Sequence, residues 1–103
     1  MTDFTNRALA EIASLQSGEI ATYGQIAQRA GNPRAARQVA RILHVYSSRY
    51  NLPWHRVVGA GWEIRLPLGN GFEAQIELLT NEGLEIEVFD SGTKARVLKA
   101  LLC

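Results

Sequence analysis

Apolar residues recur every three or four positions in four parts of the chain, as they do on one face of an amphipathic helix. The predicted helices cover residues 4–15, 23–30, 33–46 and 72–82, and a glycine lies near the end of the first, second and fourth. The third helix carries several arginines outside its apolar stripe. Its predicted buried face consists of Ala36, Val39, Ala40 and Leu43.

Capping residues mark where two of these helices begin. Thr22 is a good N-cap for the second helix, and Gly31 ends that helix. Asn32 then caps the third helix, with Pro33 in its first turn, where a missing N–H group is tolerated. A polar loop is expected over residues 47–51. Two short helices joined by a tight Gly-Asn-Pro turn indicate a helix-turn-helix.

Short strands are expected in the second half of the chain. Residues 57–58 read as a strand that the turn at residues 59–61 leads back toward residues 62–64, forming a candidate hairpin or wing. Apolar and acidic residues alternate over residues 84–89, which predicts another strand. The tail after Gly92 has apolar residues at helical spacing. The predicted fold class is mainly α with a short β-hairpin.

Composition indicates an ordinary globular protein. The chain has 103 residues, of which 47% are hydrophobic and 20% charged, so residues 1–103 are expected to form a single domain. No stretch is apolar enough to span a membrane, and a cytoplasmic location is expected. Cys103 is the only cysteine and, with His44 and His55 as the only histidines, offers no metal-ligand spacing. We therefore predict neither a metal site nor a cofactor.

The net charge of +1 hides a strong segregation of charge along the chain. Residues 29–65 hold seven arginines and one glutamate, whereas residues 66–92 hold six acidic side chains and no base. Guanidinium groups pair with phosphates and stack on bases. A nucleic-acid partner is favoured over the alternative, a solvated helix face that later acidic residues neutralise.

One stretch, residues 52–58, concentrates the residue types that carry chemistry. Pro53, Trp54, His55 and Arg56 follow one another just before an apolar pair. Proline restricts the backbone, and the end of an element is where sites are usually built. The structural alternative is a core tryptophan flanked by a hydrogen-bonded histidine.

Three ordered motifs in this chain resemble a known family. They are Thr22-Tyr23-Gly24-Gln25-Ile26-Ala27, Gly31-Asn32-Pro33-Arg34-Ala35-Ala36-Arg37-Gln38-Val39 and Pro53-Trp54-His55-Arg56-Val57-Val58. Together they resemble the DNA-binding domain of O6-alkylguanine-DNA alkyltransferases, over about residues 15–86. In those enzymes a cysteine stands where this chain has Trp54. That difference is the mark of the alkyltransferase-like proteins, so the resemblance implies a winged helix-turn-helix-like DNA-binding domain of the alkyltransferase type.

The resemblance also implies that no enzymatic activity remains. Direct reversal needs a thiolate that attacks the alkyl carbon, and an indole has no nucleophilic atom of that strength. His55 and Glu82 match the transferases' activating relay, although the group to be activated is absent. Cys103, at the chain terminus, is not expected to substitute. We therefore predict no catalytic residues and a protein that binds without turnover.

For DNA binding, the resemblance implies that the helix beginning at Pro33 enters the minor groove. Ala35 and Ala36 would allow close approach, Arg37 would fill the gap left by an extruded guanine, and Tyr23 would press on the adjacent phosphate. Arg34 and Arg41 would contact phosphates. The predicted DNA-binding residues are Thr22, Tyr23, Gly24, Gln25, Pro33, Arg34, Ala35, Ala36, Arg37, Gln38 and Arg41.

A lesion pocket is expected beside the tryptophan. Its predicted residues are Tyr23, Trp54, His55, Arg56, Val57, Val58, Leu66 and Pro67. Structural alternatives stay open: Tyr23 as a helix-start staple, Arg37 paired with a later glutamate, and His55 and Arg56 as hydrogen-bonding and ion-pairing residues, which is the favoured interpretation for these two. The chain departs from the transferases near Tyr46, where they have an asparagine, at Trp62, where a glycine is expected, and near Pro67, where they have a tyrosine.

The function expected from the resemblance is that of a DNA damage sensor. The protein would bind double-stranded DNA containing O6-alkylguanine, flip the base, block transferase access and hand the lesion to nucleotide excision repair proteins. It is expected to be monomeric, with no membrane partner, and associated with the nucleoid when DNA is bound. The alternatives are a residual O6-alkylguanine alkyltransferase and a winged-helix regulator that reads undamaged DNA in the major groove.

Overall fold

The computed structural model describes residues 2–99, in which helices and short strands alternate. The helices are α1 (Asp3–Ala13), α2 (Tyr23–Arg29), α3 (Ala36–Tyr50) and α4 (Phe72–Asn81). The strands are β1 (Ala21–Thr22), β2 (Val57–Val58), β3 (Glu85–Phe89) and β4 (Lys94–Lys99). Two 3-10 turns, Trp54–Arg56 and Ala60–Trp62, flank β2.

The predicted cap of α2 is confirmed. The Thr22 Oγ1 atom accepts a hydrogen bond from the Gln25 amide at 3.0 Å, and the Gln25 Oε1 atom accepts one from the Thr22 amide at 2.8 Å. This reciprocal capping box satisfies two backbone donors at the helix start. It therefore determines where Tyr23, the first residue of α2, leaves the backbone.

The third helix differs from the prediction at both ends. Asn32 does not cap it: the Asn32 Oδ1 atom accepts from the Arg34 amide at 3.1 Å, forming a separate turn, and α3 begins only at Ala36. At the other end α3 continues through the predicted polar loop to Tyr50 and ends at Asn51, whose φ of 51° is left-handed. Its buried residues are Ala35 (the N-cap), Val39, Ile42 and Leu43, so the predicted burial of Ala36 and Ala40 is wrong.

Two hydrophobic clusters share the short parallel sheet β1–β2. One cluster lies between α1, α2 and α3, and the other lies between α4 and the hairpin β3–β4. Ala21 pairs with Val57 and belongs to the first cluster, whereas Val58 and Ile20 belong to the second. Because successive strand residues point to opposite faces, two strands of two residues contribute side chains to both cores.

The hairpin predicted for residues 57–64 is wrong. Residues 57–58 pair with β1 in parallel, and the following chain forms the 3-10 turn Ala60–Trp62. The Arg65 side chain lies against Gly59, where a Cβ atom would collide with it, and the Ile64 amide donates to the Ala95 carbonyl at 2.9 Å. The chain therefore turns toward the second cluster instead of pairing with β2.

The wing is the C-terminal hairpin. Strands β3 and β4 are antiparallel, with Ile86 opposite Val97 and Val88 opposite Ala95. The strand predicted at residues 84–89 is confirmed, but the helix predicted for the tail is wrong over residues 94–99. Two of the apolar residues that occur at helical spacing in the tail, Leu101 and Leu102, lie outside the described residues. Within residues 2–99, no helix combines the length and apolar character required to cross a membrane.

Candidate nucleic-acid interface

A cavity of about 410 Å³ opens between α3, the start of α2 and the loop before α4. Most of its surface is apolar, although polar side chains from α2, from α3 and from the loop before α4 also reach it. This size is within the range of small-molecule sites. The lining residues are Tyr23, Ala40, Leu43, His44, Ser47, Trp54, Arg65, Leu66, Asn70 and Gly71.

Trp54 reaches the cavity because it begins a tight 3-10 turn. The Trp54 amide donates to the Leu52 carbonyl at 2.8 Å, and the Arg56 amide donates to the Pro53 carbonyl at 3.0 Å. The indole is half-buried and packs against the first cluster. The sequence prediction that residues 52–58 present Trp54 at the end of an element therefore agrees with its position.

Gln75 holds this turn from the opposite side and was missed by the sequence analysis. Its side chain is buried at 1% exposure, and its Nε2 atom donates to the carbonyls of His55 (3.0 Å) and Val57 (2.9 Å). A buried amide of this kind is retained where it satisfies backbone acceptors. The available signal was a polar residue three positions after Phe72, inside the apolar stripe of α4.

His55 and Arg56 converge on Glu82 at the end of α4. The His55 Nε2 atom lies 2.6 Å from Glu82 Oε2, and the Arg56 Nη2 atom lies 2.8 Å from the same oxygen. The amide of Gly18 donates to Glu82 Oε1 at 2.8 Å, and Arg56 Nη1 donates to the carbonyl of Leu15 at 2.9 Å. This network joins the loop after α1, the 3-10 turn and α4.

The network keeps Glu82 ionised. Burial of the Glu82 carboxyl would raise its pKa, but hydrogen bonds from Arg56, the Gly18 amide and His55 outweigh that effect and lower the pKa to about 2. The His55 ring stands edge-on to the Trp54 indole, with 6.0 Å between ring centroids and an interplanar angle of 84°. The histidine and acid that resemble the transferase relay are thus hydrogen-bonded to each other, next to an indole.

Several predicted pocket residues do not line the cavity. Val57 and Val58 are buried at 1% and 0% exposure in the β1–β2 sheet, which leaves them no surface for a ligand. His55 and Arg56 turn toward Glu82, and Arg56 forms the ion pair that was favoured for it. Pro67 is exposed and lies outside the lining. Of the predicted set, the cavity wall contains Tyr23, Trp54 and Leu66.

The cavity wall also contains residues that sequence reasoning did not select. One face of α3 contributes positions i, i+3, i+4 and i+7, a spacing that a longer predicted helix would have revealed. Arg65, Asn70 and Gly71 come from the loop before α4, for which no regular pattern exists. The α3 residues concerned are Ala40, Leu43, His44 and Ser47.

Tyr23 connects the cavity to the start of α2. Its side chain is half-buried. Burial raises the pKa of the Tyr23 phenol, and the positive charge of Arg65 acts in the opposite direction. The hydroxyl is therefore protonated at neutral pH and can donate a hydrogen bond from the cavity rim.

Exposed arginines line the outer side of the helix-turn-helix. Arg34, Arg37 and Arg41 are exposed, together with Gln38. None of these three arginines forms an ion pair with a carboxylate of residues 2–99, so the alternative that Arg37 pairs with a later glutamate finds no support there. Arg37 and Arg41 on α3 and Arg34 in the turn before it, without carboxylate partners among residues 2–99, form a surface suited to phosphates.

Other predicted DNA-binding residues have structural tasks. The side chains of Thr22 and Gln25 each accept a hydrogen bond from the other residue's backbone amide at the start of α2. Ala35 is 8% exposed and packs in the first cluster, and its predicted part in close approach to DNA stays a prediction. Ala36 and Gly24 are half-buried, and Pro33 is exposed in the turn before α3.

Residues 3–84 match the family model described as "6-O-methylguanine DNA methyltransferase, DNA binding domain". The chain belongs to this alkyltransferase family. The DNA base-flipping protein of Escherichia coli (strain K12) is 39% identical over 83 residues, which cover 81% of this chain and 64% of that protein. Alkyltransferase-like protein 1 of Schizosaccharomyces pombe is 31% identical over 87 residues, which cover 84% of this chain and 81% of that protein. The chain thus spans less than two thirds of the E. coli relative.

Solved structures of alkyltransferase-family proteins share the fold. S. pombe Atl1 in complex with damaged DNA containing O6-carboxymethylguanine superposes with a TM-score of 0.81 at 29% identity, over 93% of this chain and 89% of that one. Mycobacterium tuberculosis OGT in complex with DNA superposes with a TM-score of 0.62 at 30% identity, over 81% of this chain and 50% of that one. The predicted fold class, mainly helical and winged helix-like, is confirmed.

Proposed function

We propose that the protein is a non-enzymatic sensor of O6-alkylguanine in duplex DNA. The α3 arginines hold the duplex, and the damaged guanine rotates out of the stack into the cavity beside Trp54. The single observation that carries the proposal is that Trp54 lines this cavity at the position where the resemblance places the transferases' cysteine. The protein binds the flipped base and does not transfer its alkyl group.

Charge supports the grip on DNA. Three arginines, Arg34, Arg37 and Arg41, lie on and beside the start of α3. They have no carboxylate partners among residues 2–99, so they can contact the phosphate backbone of the DNA. Flipping a base costs a few kcal/mol of stacking and pairing. A planar guanidinium inserted in its place, assigned to Arg37, stacks on the orphaned pair and offsets part of that cost.

The chemistry of the cavity supports binding without transfer. Alkyl transfer forms a carbon–sulfur bond, breaks the carbon–O6 bond and returns a proton to guanine. No residue of the cavity wall, as described within residues 2–99, carries a thiol. Trp54 has an aromatic face and one N–H donor, which suit stacking and hydrogen bonding rather than nucleophilic attack.

The relatives support the same interpretation. The E. coli relative is named a DNA base-flipping protein, and the S. pombe relative has been solved with DNA containing O6-carboxymethylguanine. Those observations belong to those proteins. We carry them to this chain because the family, the fold and the arginine-bearing helix agree.

Binding to matched duplexes tests the proposal. Fluorescence anisotropy compares duplexes that differ only in O6-methylguanine or guanine at one position, at a fixed salt concentration, because phosphate contacts make affinity salt-dependent. We expect at least about tenfold tighter binding of the methylated duplex, which corresponds to about 1.4 kcal/mol. Equal affinity for both duplexes would refute lesion recognition and favour a regulator of undamaged DNA.

A transfer assay tests the absence of enzymatic activity. Protein in excess is incubated with DNA that carries a radiolabelled O6-methyl group, and the protein is then separated and counted. We expect no label on the protein after hours, while a transferase run in parallel becomes labelled stoichiometrically. Stoichiometric label on this protein would overturn the non-enzymatic assignment, even if the lesion preference persisted.

The proposal extends to the fate of the complex. A bound sensor shields the lesion from an alkyltransferase and presents it to nucleotide excision repair proteins, acting as a monomer in a nucleoid-associated cytoplasmic pool. Adding this protein before the transferase should slow repair of the labelled duplex in proportion to site occupancy. An unchanged repair rate at saturating protein would contradict the shielding role.

A further inference from the structure

Arg7, an exposed residue of α1, reaches the end of α2. Its Nη1 atom donates a hydrogen bond to the carbonyl of Ala30 at 3.2 Å. Ala30 is the C-cap of α2, where carbonyl groups have no partner inside the helix and a nearby cation is favourable. The bond therefore fixes the Arg7 guanidinium against the end of α2, next to the turn that leads to α3.

The guanidinium also lies against the backbone of that turn. Gly31 has a left-handed φ of 102°, and a Cβ atom placed on it would be 2.9 Å from Arg7 Nη1. Asn32 then holds the turn, because its Oδ1 atom accepts from the Arg34 amide at 3.1 Å and its carbonyl accepts from the Ala35 amide at 3.1 Å. Two arginines are therefore attached to one short turn, Arg34 within it and Arg7 from α1.

Most of the hydrogen-bonding capacity of Arg7 is unused. A guanidinium has five N–H groups, and within residues 2–99 the side chain of Arg7 donates only to the Ala30 carbonyl. No carboxylate of the same part of the chain forms an ion pair with it. Its charge and remaining donors are therefore open to an anion from solvent. The planar fork of a guanidinium matches the oxygens of a phosphate.

We propose that Arg7 is a further DNA-binding residue, which contacts a phosphate of the duplex beside the turn that carries Arg34. The bond to the Ala30 carbonyl holds the guanidinium in place before DNA binds, which reduces the conformational entropy lost on contact. The phosphate-binding surface then extends from α3 across the turn to α1. This inference rests on the proposed function, because it requires that the helix-turn-helix faces the DNA.

The salt dependence of binding tests the contact. Anisotropy titrations at several salt concentrations give the slope of the logarithm of the binding constant against the logarithm of the salt concentration, to which each neutralised phosphate contributes about 0.9. Arg7→Gln removes the charge, so its slope should be shallower than that of the wild type by about 0.9, with roughly three- to fivefold weaker binding at about 0.1 M salt. Arg7→Lys retains the charge and should keep the wild-type slope.

The preference for the lesion separates a phosphate contact from a purely structural role. A phosphate contact carries no base information, so Arg7→Gln should keep the wild-type ratio of affinities for methylated and unmodified duplexes. If Arg7 only supported the turn, its loss would displace the start of α3 and lower that ratio without changing the slope. Arg49→Gln is the matched control and should keep the wild-type slope. Arg49 is also exposed and without a carboxylate partner among residues 2–99, but it lies in the last turn of α3.

Three outcomes overturn the Arg7 contact while leaving the proposed function intact. They are an unchanged slope in Arg7→Gln, an equally shallow slope in Arg49→Gln, and an equally shallow slope in Arg7→Lys. Each variant is titrated at a temperature at which circular dichroism shows it to be folded, so that unfolding does not contribute to the slope. Equal affinity of the wild type for methylated and unmodified duplexes would instead refute the proposed function itself.

Discussion

The Glu82 carboxylate should control the acid sensitivity of this fold. It accepts hydrogen bonds from Arg56, from His55 and from the Gly18 amide, all within 2.6–3.1 Å. The Glu82 side chain is 12% exposed and that of Arg56 is 18% exposed, so solvent screens these interactions only partly. Removing the charge by Glu82→Gln therefore perturbs three chain segments at once.

The magnitude follows from the pKa. Folding lowers the pKa of Glu82 from 4.5 to about 2. At about 1.4 kcal/mol per pKa unit, and with a discount for the partial exposure of Arg56, the ionised carboxylate stabilises the fold by about 2–3 kcal/mol. Because the folded pKa lies below the unfolded one, this stabilisation is complete above about pH 4.5. It is lost as the pH falls toward 2.

Urea unfolding followed by circular dichroism measures the effect in wild type and in Glu82→Gln. At pH 7 we expect the variant to be less stable by about 2–3 kcal/mol, or roughly 10–20 °C in Tm for a domain of this size. The difference in the free energy of unfolding between wild type and variant should shrink as the pH falls from about 5 toward 2, because protonation of Glu82 removes the same charge from the wild type.

Glu87→Gln is the matched control, since it also removes one glutamate from an ion pair. Arg96 Nη2 lies 2.7 Å from Glu87 Oε1, but these side chains are 47% and 40% exposed. An exposed pair contributes at most about 1 kcal/mol. A gap for Glu82→Gln that stays constant down to pH 2, or an equally large loss in Glu87→Gln, would refute the reasoning.

Three further predictions concern the interface and its support. Arg37→Ala should weaken binding to a lesion duplex by about 2 kcal/mol or more, and Arg34→Ala by less than about 1 kcal/mol, in anisotropy titrations; equal losses would argue against insertion of Arg37 into the stack. Trp54→Cys should acquire little or no labelled methyl group in the transfer assay, because the surroundings near Tyr46 and Pro67 differ from the transferases, and rapid labelling would show this reasoning to be wrong. Gln75→Leu should destabilise the fold by about 1–3 kcal/mol in urea, since it leaves the carbonyls of His55 and Val57 without this donor, while removal of the unpaired Gln75 Oε1 atom offsets part of the loss; a loss below about 0.5 kcal/mol would contradict its role.

The sequence predicted helices correctly where the contacts that stabilise them join residues close together in the chain. The capping box that begins α2 lies within four residues, and the apolar stripe of α4 lies within ten. Thr22 and Phe72 therefore have the structural roles that their neighbours in sequence predict, whereas the capping role of Gln25, predicted only to bind DNA, was not predicted. The helix-turn-helix follows from the same kind of information.

The end of α3 was mispredicted because its residues have low helix propensity and side-chain contacts stabilise the last turn instead. Serine and asparagine favour turns, so residues 47–51 read as a loop. In the structure the rings of Tyr46 and Tyr50 stack with centroids 5.7 Å apart, an i,i+4 contact that supports the last turn. Asn51 then ends the helix in a left-handed conformation that asparagine tolerates.

The tail was mispredicted because its pairing partner lies elsewhere in the chain. Ala95 and Val97 are buried while Arg96 and Leu98 are exposed, an alternation that a strand produces. The hydrogen-bonded ladder with β3 selects this conformation, and a helical period read from a short tail cannot reveal it. The cavity wall posed the same problem, because its residues come from separated segments.

The parallel pairing of Ala21 with Val57 and Thr22 with Val58 has a mechanical consequence. Tyr23 follows one of these strands directly, and the turn that holds Trp54 directly precedes the other. The side chain assigned to the DNA backbone and the side chain beside the extruded base are thus mounted on a common rigid frame. The β1–β2 pairing therefore determines the distance between these two side chains in the protein before any DNA is bound.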